Sequence, residues 1–222
     1  MLEVKKSDNM TIYKQHRKSQ LLLRLARHLV LNSSFTNNLG LYHGKMGIVL
    51  FFFHYSRYTG ENLYEEFAGE MLDEVFDQVH LDMPTSFESG LCGIGWGVEY
   101  LLLHGFVKGN SDDILSEIDN KIMEEKNLLR TTDWSVRTGM EGISYYINIR
   151  LNSSSRNRNT LPFDEKYLHE WKLVNKNIII PNENQILLSV IGTLPQGVNI
   201  TSWKLGLENG CAGYAIKWML GT

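Results

Sequence analysis

The sequence predicts an all-α fold, an incomplete α/α toroid of helical hairpins in which apolar inner helices alternate with amphipathic outer ones, and three observations carry this. A G-x-x-G step opens an apolar run four times: His43-Gly44-Lys45-Met46-Gly47, Ser89-Gly90-Leu91-Cys92-Gly93, Thr138-Gly139-Met140-Glu141-Gly142 and Asn209-Gly210-Cys211-Ala212-Gly213. Self-similarity at a period of a few tens of residues marks repeat architectures. The 222 residues hold only 4 prolines, and a helical period runs through most of the chain. The runs after the glycines are apolar nearly all round, which suits buried helices, whereas the segments between them carry one apolar stripe. A solenoid of helix pairs competes, but it needs one face of each pair exposed as its concave surface, whereas the inner helices look apolar on most sides. Repeat starts at Gly44, Gly90, Gly139 and Gly210 lie 46, 49 and 71 residues apart. Residues 1–222 therefore read as one domain with an insertion in its third unit.

Thr11 to Leu31 reads as a leading outer helix, with Ile12, Leu21, Leu22, Leu25, Leu29 and Val30 on one face. GIVLFFFHYSRY, from Gly47, is a buried helix that Thr59-Gly60 stops. Asn62 to His80 is a surface helix whose stripe is Tyr64, Phe67, Met71, Val75 and Val79, with Glu65, Glu66, Asp73 and Asp77 off it. Gly90 to His104 is the second buried helix, ending at Gly105, and Ser111 to Leu129 is an outer helix striped by Ile114, Ile118 and Ile122. A third buried helix starts at Gly139, and Asn152 to Thr160 is a polar loop by composition. Helix resumes from Asp164 to Leu173, breaks at Pro181, and returns over Ile186 to Ile191 before a turn at Gly192 to Gly197. The last buried helix runs from Gly210 to Gly221.

A chain 43% hydrophobic and 21% charged has ordinary globular composition. Its net charge of -3, with no block of lysines and arginines, argues against nucleic acid and anionic membranes as partners. The densest apolar stretch, Gly47 to Phe53, is too short to span a bilayer, and the first residues lack a signal-peptide core, so the expected location is the cytoplasm. Cys92 and Cys211 make no disulfide framework and read as free thiols.

Each residue before the first glycine, His43, Ser89, Thr138 or Asn209, is a plausible N-cap for its helix. If the inner helices run parallel, their starts converge on one mouth lined by Tyr42, His43, Glu88, Ser89, Arg137, Thr138, Glu208 and Asn209. Unpaired helix N–H groups there would favour carboxylates or phosphates. His43 is the candidate catalytic residue, because a neutral imidazole serves as general acid/base or metal ligand. Cys92, in a first helical turn, is either an activated thiol or a small buried hydrophobe. Glu99, Glu141 and Lys217 are charges in apolar helices and need partners or a wet channel. Trp96, Trp134, Trp203 and Trp218 read as core or rim packing. The remaining histidines, His16, His28, His54, His80, His104 and His169, show no metal-ligand spacing.

GLYHGKMGIVLFFFHYSRYTG from Gly40, SGLCGIGWGVEYLL from Ser89 and GLENGCAGYAIKWML from Gly206 resemble the lanthionine synthetase C-like (LanC-like) family over most of the chain. The resemblance implies a toroid of helical hairpins, more of them than the four recognisable here. It also implies zinc at the mouth as cofactor and cyclase chemistry that joins cysteine thiols to dehydrated serine or threonine. The family's zinc ligands are a Cys before a Tyr-Gly step and a Cys-His pair directly before a first glycine. Here the pairs before the glycines are Tyr42-His43, Glu88-Ser89, Arg137-Thr138 and Glu208-Asn209. His43 alone matches a ligand type, with Cys211 as the other weak metal candidate. The expectation is a LanC-like protein of peptide modification with an incomplete zinc site, acting on a peptide or protein partner. The alternatives are a divergent zinc-dependent cyclase, in which groups such as Cys211 or Glu208 complete the site, and a non-catalytic helical scaffold. Four hairpins would leave apolar edges, so a homodimer or a second chain closing the toroid is expected.

Overall fold

In the computed structural model, which describes residues 19–125, 130–153, 161–176, 178–193 and 199–221, the alternating runs become nine α-helices arranged as an α/α toroid. They are α1 (19–32), α2 (Lys45–Thr59), α3 (Asn62–Gln78), α4 (Leu91–Leu103), α5 (Ser111–Glu124), α6 (Met140–Asn152), α7 (Glu165–Val174), α8 (Glu183–Ile191) and α9 (Cys211–Met219). No strand occurs among the described residues, where Lys204 and Gly210 form a lone bridge, and no described helix is long and apolar enough to cross a membrane. The inner helices are α2, α4, α6 and α9, packed in the order α9, α2, α4, α6, with α3 on α2, α5 on α4 and α8 on α9. Trp171 of α7 reaches α6 by donating its indole N–H to Ser144 Oγ, 3.2 Å away.

Burial follows the patterning. Every residue from Leu91 to Leu102 of α4 is buried, as is every one from Lys45 to Phe53 of α2. Outer α5 keeps Ile118 and Ile122 of the expected stripe on the core, while in its first turn Leu115 is buried and Ile114 is exposed. In α3 the stripe centres on Ala68, Met71, Leu72 and Val75, with Tyr64, Phe67 and Val79 half-buried at its margin. Val30 of α1 is exposed beside buried Leu22, Leu25 and Leu29, and Trp134 is exposed on a loop. Side-chain caps from Asn110, Asp164 and Asn182 start α5, α7 and α8. Gly60, at φ 75°, stops α2 where the sequence places the stop. Helix α5 ends at Glu124, short of the expected Leu129. Residues 11–18, 126–129, 154–160 and 194–197 of the expected elements lie outside the described residues.

The inner helices start in a way the sequence did not suggest. His43, Ser89, Thr138 and Asn209 are not N-caps; Gly44, Gly90, Gly139 and Gly210 are, and none of these starts has a side-chain cap. The first helical N–H instead donates to a loop carbonyl seven residues upstream: Lys45 to Asn38 (2.8 Å), Leu91 to Pro84 (2.8 Å), Met140 to Asp133 (2.9 Å) and Cys211 to Lys204 (2.8 Å). The loop thus folds back across the helix start, and both glycines of each repeat lie against it. A Cβ on any of the eight would stand within 3.0 Å of the carbonyl oxygen six residues upstream. The glycines are there for space.

A buried ion cluster locks three helices together. Arg150 of α6, fully buried, reaches Glu99 of α4 (2.6 Å) and Asp119 (2.6 Å) and Asp112 (3.1 Å) of α5. Glu99 also accepts from Ser153 (2.8 Å), and Asp119 from the Tyr146 hydroxyl (2.7 Å). Burial raises the Asp119 carboxyl above the usual range, against the opposing hydrogen bonds and charge of Arg150. Burial works against the Arg150 charge, yet its bonds to Asp119 hold the guanidinium above the ordinary arginine range. Glu99, a charge in an apolar run, has thereby found its partner.

Replacing Arg150 by Met leaves two buried carboxylates without a cation and is expected to cost about 3–5 kcal/mol in urea unfolding. Gly93→Ala, which drives a methyl into the Phe87 carbonyl, is expected to cost roughly 1–3 kcal/mol. Gly69→Ala, in mid-helix with nothing within 4 Å of the added carbon, should instead stabilise by about 0.5–1 kcal/mol in the same assay.

Candidate functional site

The loops that fold over the inner helix starts also hydrogen-bond to one another. Leu207 and Glu208 donate their N–H groups to the Tyr42 carbonyl (2.8 and 3.0 Å), Tyr42 donates to the Glu88 carbonyl (3.1 Å), and Phe87 and Glu88 donate to that of Arg137 (2.9 and 3.0 Å). Side chains span the remaining side, where Arg137 Nη2 donates to Glu208 Oε1. The result is a ring of four loops at one end of the inner helices. Tyr42, Glu88, Arg137 and Glu208 occupy the same place in each repeat, two residues before the first glycine.

His43 enters this ring from the first loop. Its Nε2 lies 3.2 Å from Glu88 Oε1 and 3.2 Å from Glu208 Oε2, so that nitrogen carries the hydrogen, while Nδ1 is buried without a hydrogen-bond partner. Arg137 Nη1 donates to Glu88 Oε1 at 2.8 Å, and its guanidinium carbon lies 5.1 Å from the centre of the Tyr42 ring. One guanidinium thus bridges both carboxylates in a forked geometry suited to arginine. Hydrogen bonding to Glu208 raises Arg137 above its ordinary range, so it stays charged. Burial pushes the Tyr42 phenol up to about 12, with Arg137 opposing and the carboxylates adding, and it stays neutral. On α6, Tyr145 donates to Glu141 at 2.7 Å, and burial with this bond raises its phenol.

Five of the eight expected mouth residues therefore meet: Tyr42, His43, Glu88, Arg137 and Glu208. The other three bond within their own surroundings. Ser89 Oγ lies 3.3 Å from Ser86 Oγ, Thr138 donates to Asp133 at 2.6 Å, and Asn209 accepts from Thr193 at 2.7 Å. Asn209, at φ 51°, is the one described non-glycine residue in the left-handed region, as asparagine tolerates. The expected anion-binding mouth also needs correction. The first helical N–H groups are already bound by loop carbonyls, and Glu88, Glu208 and Glu141 outnumber Arg137. Neither cysteine reaches the ring. Cys92 is fully buried with its thiol pushed well up by burial, which fits the hydrophobe reading, and burial pushes Cys211, 3.9 Å from the Ile200 carbonyl, up to about 12.

A glycine pair seats each inner helix, the ring repeats one position four times, and a model of the lanthionine synthetase C-like family matches residues 36–216. The chain belongs to this LanC-like family. Comparison with curated proteins and with solved structures found no match. Zinc, the metal this family implies, finds a changed donor set. His43, Glu88 and Glu208 bring three ligand atoms within 4.8 Å of one another, the one such group among the described residues. No thiolate joins them, which removes Cys211 as a ligand, and both carboxylates are held by Arg137. As arranged, the LanC-like mouth does not fit the metal.

A second polar group, not marked by any sequence spacing, lies between α2, α4 and α8. His54 Nε2 is 3.0 Å from the Tyr100 hydroxyl, which donates to Asn184 Oδ1 at 3.2 Å, and His104 packs on the Tyr100 ring. These residues come from α2, α4 and α8, so spacing along the chain could not reveal them. Tyr145 was equally unmarked, although its place four residues after Glu141 is a helical signal. Burial, with the charges of His104 and Arg57, lowers His54 to about 4. Its neutral form is thus favoured in the fold, so its stabilisation is full above pH 6.5 and is lost as pH falls from 6.5 to 4. Urea unfolding across that window should show His54 accounting for about 3 kcal/mol of lost stability, and His54→Gln should remove that part of the slope.

Proposed function

We propose that this LanC-like protein serves peptide modification by holding a peptide, or a partner carrying one, at its ring of loops, without zinc-dependent addition of cysteine thiols. The observation that carries this reading is the Arg137 bridge, which already engages the two carboxylates that would otherwise stand beside His43 as ligands. With Arg137 on both carboxylates, they do not stand free to hold a metal ion that would activate a cysteine substrate. The ring is nonetheless open to solvent: the Arg137 side chain is 45% exposed and that of His43 29%. The carboxylate excess favours a peptide bearing lysine, arginine or a free amino terminus. Exposed Trp134, in the loop that carries Arg137, offers an aromatic face for contact.

The test mixes the chain and zinc with a basic, dehydrated, cysteine-containing peptide, reading binding by fluorescence anisotropy and free thiol by alkylation. The expected result is saturable binding, weakened severalfold by Glu208→Gln, with the peptide thiol still alkylatable. Thiol loss that disappears in His43→Ala would instead establish a divergent metal-dependent cyclase. Absence of binding to any basic peptide would favour a plain helical scaffold.

A further inference from the structure

We propose that Arg137 is the resident cation of this site, a guanidinium standing where a divalent ion would otherwise join His43, Glu88 and Glu208, and that its removal turns the ring into a metal-binding site. The inference rests on the same Arg137 bridge as the peptide reading and deepens it, by saying what neutralises the two carboxylates.

The geometry carries it. His43, Glu88 and Glu208 come from three separate loops, yet their ligand atoms lie within 4.8 Å of one another, with one nitrogen and two carboxylates as donors. One histidine and two carboxylates form a ligand set of the number and type found in open catalytic metal sites. Two carboxylates this close repel each other unless a cation lies between them. Arg137 supplies that cation from a fourth loop, with Nη1 on Glu88 Oε1 and Nη2 on Glu208 Oε1. Its fork takes an oxygen from each acid, and His43 shares Oε1 with it on Glu88 but takes Oε2 on Glu208. A metal ion and the guanidinium therefore compete for the same two carboxylates, and like charges a few ångströms apart exclude each other.

Position adds a second argument. Arg137 occupies in its repeat the place that Glu88 and Glu208 occupy in theirs, so the ring itself aims the guanidinium at the acids. The Tyr42 ring behind it adds a cation–π contact. Because its side chain is 45% exposed, Arg137 can be replaced without opening the core.

The experiment titrates Co²⁺, whose visible absorption reports nitrogen and oxygen ligation, into the full chain and into Arg137→Met, with Arg137→Gln as a second variant should the first lose its helical circular dichroism. The wild-type chain is expected to give no stoichiometric Co²⁺ band. The variant should bind one equivalent roughly a hundredfold or more tighter, and adding His43→Ala should abolish the band. Wild-type protein that binds Co²⁺ as tightly as the variant would overturn the proposal, as would folded Arg137 variants that bind none. Neither result depends on whether a peptide binds.

Discussion

The structure depends on one repeated bond, from the first N–H of each inner helix to a loop carbonyl seven residues upstream. A helix start leaves several N–H groups without partners, and a buried one must find acceptors. Here the main chain supplies one, by folding the preceding loop over the helix end. That is feasible only where no Cβ intervenes, at both the cap position and the third helical position. One geometric requirement thus explains why glycine occurs twice per repeat in buried helices, where it costs roughly 1 kcal/mol relative to alanine.

From this follows the ring. A loop pinned to its own helix has a fixed path, and its remaining N–H and carbonyl groups are free to pair with the next loop, as Tyr42, Phe87, Glu88, Leu207 and Glu208 do. The residue two places before each first glycine then points into a shared space. The surface is set by four such residues on a frame that the glycines hold, a separation of site from scaffold. In this chain the four are one aromatic, two acids and one arginine, and the histidine beside the first completes a cluster in which two acids share one guanidinium.

The fold was legible because its signal is periodic. Alternating apolar and amphipathic runs identified the inner and outer helices, and Gly60 marked a stop that the structure keeps. What failed was local: at the start of α5 Leu115 and not Ile114 faces the core, since the two are similarly hydrophobic and packing on α4 chooses between them. Capping failed for a different reason. Ser, Thr and Asn before a helix suggest side-chain caps, and nothing in the sequence showed a loop carbonyl already in place. At the mouth, repeat position grouped eight residues, of which Tyr42, His43, Glu88, Arg137 and Glu208 meet while Ser89, Thr138 and Asn209 bond elsewhere. That the arginine would bridge both acids was not readable, because it depends on the α6 and α9 loops meeting across the ring. The Arg150 cluster lay beyond reach likewise, as its members come from α4, α5 and α6.

Main-chain bonds, and not side-chain caps, hold the inner helix starts. Native-state hydrogen exchange at the amides of Lys45, Leu91, Met140 and Cys211 tests it most directly. First-turn amides ordinarily exchange fast, since they lack intrahelical acceptors. These four are expected to exchange only with global unfolding, as slowly as the amides in the middle of α4. Rapid exchange at those positions, typical of frayed helix ends, would contradict it.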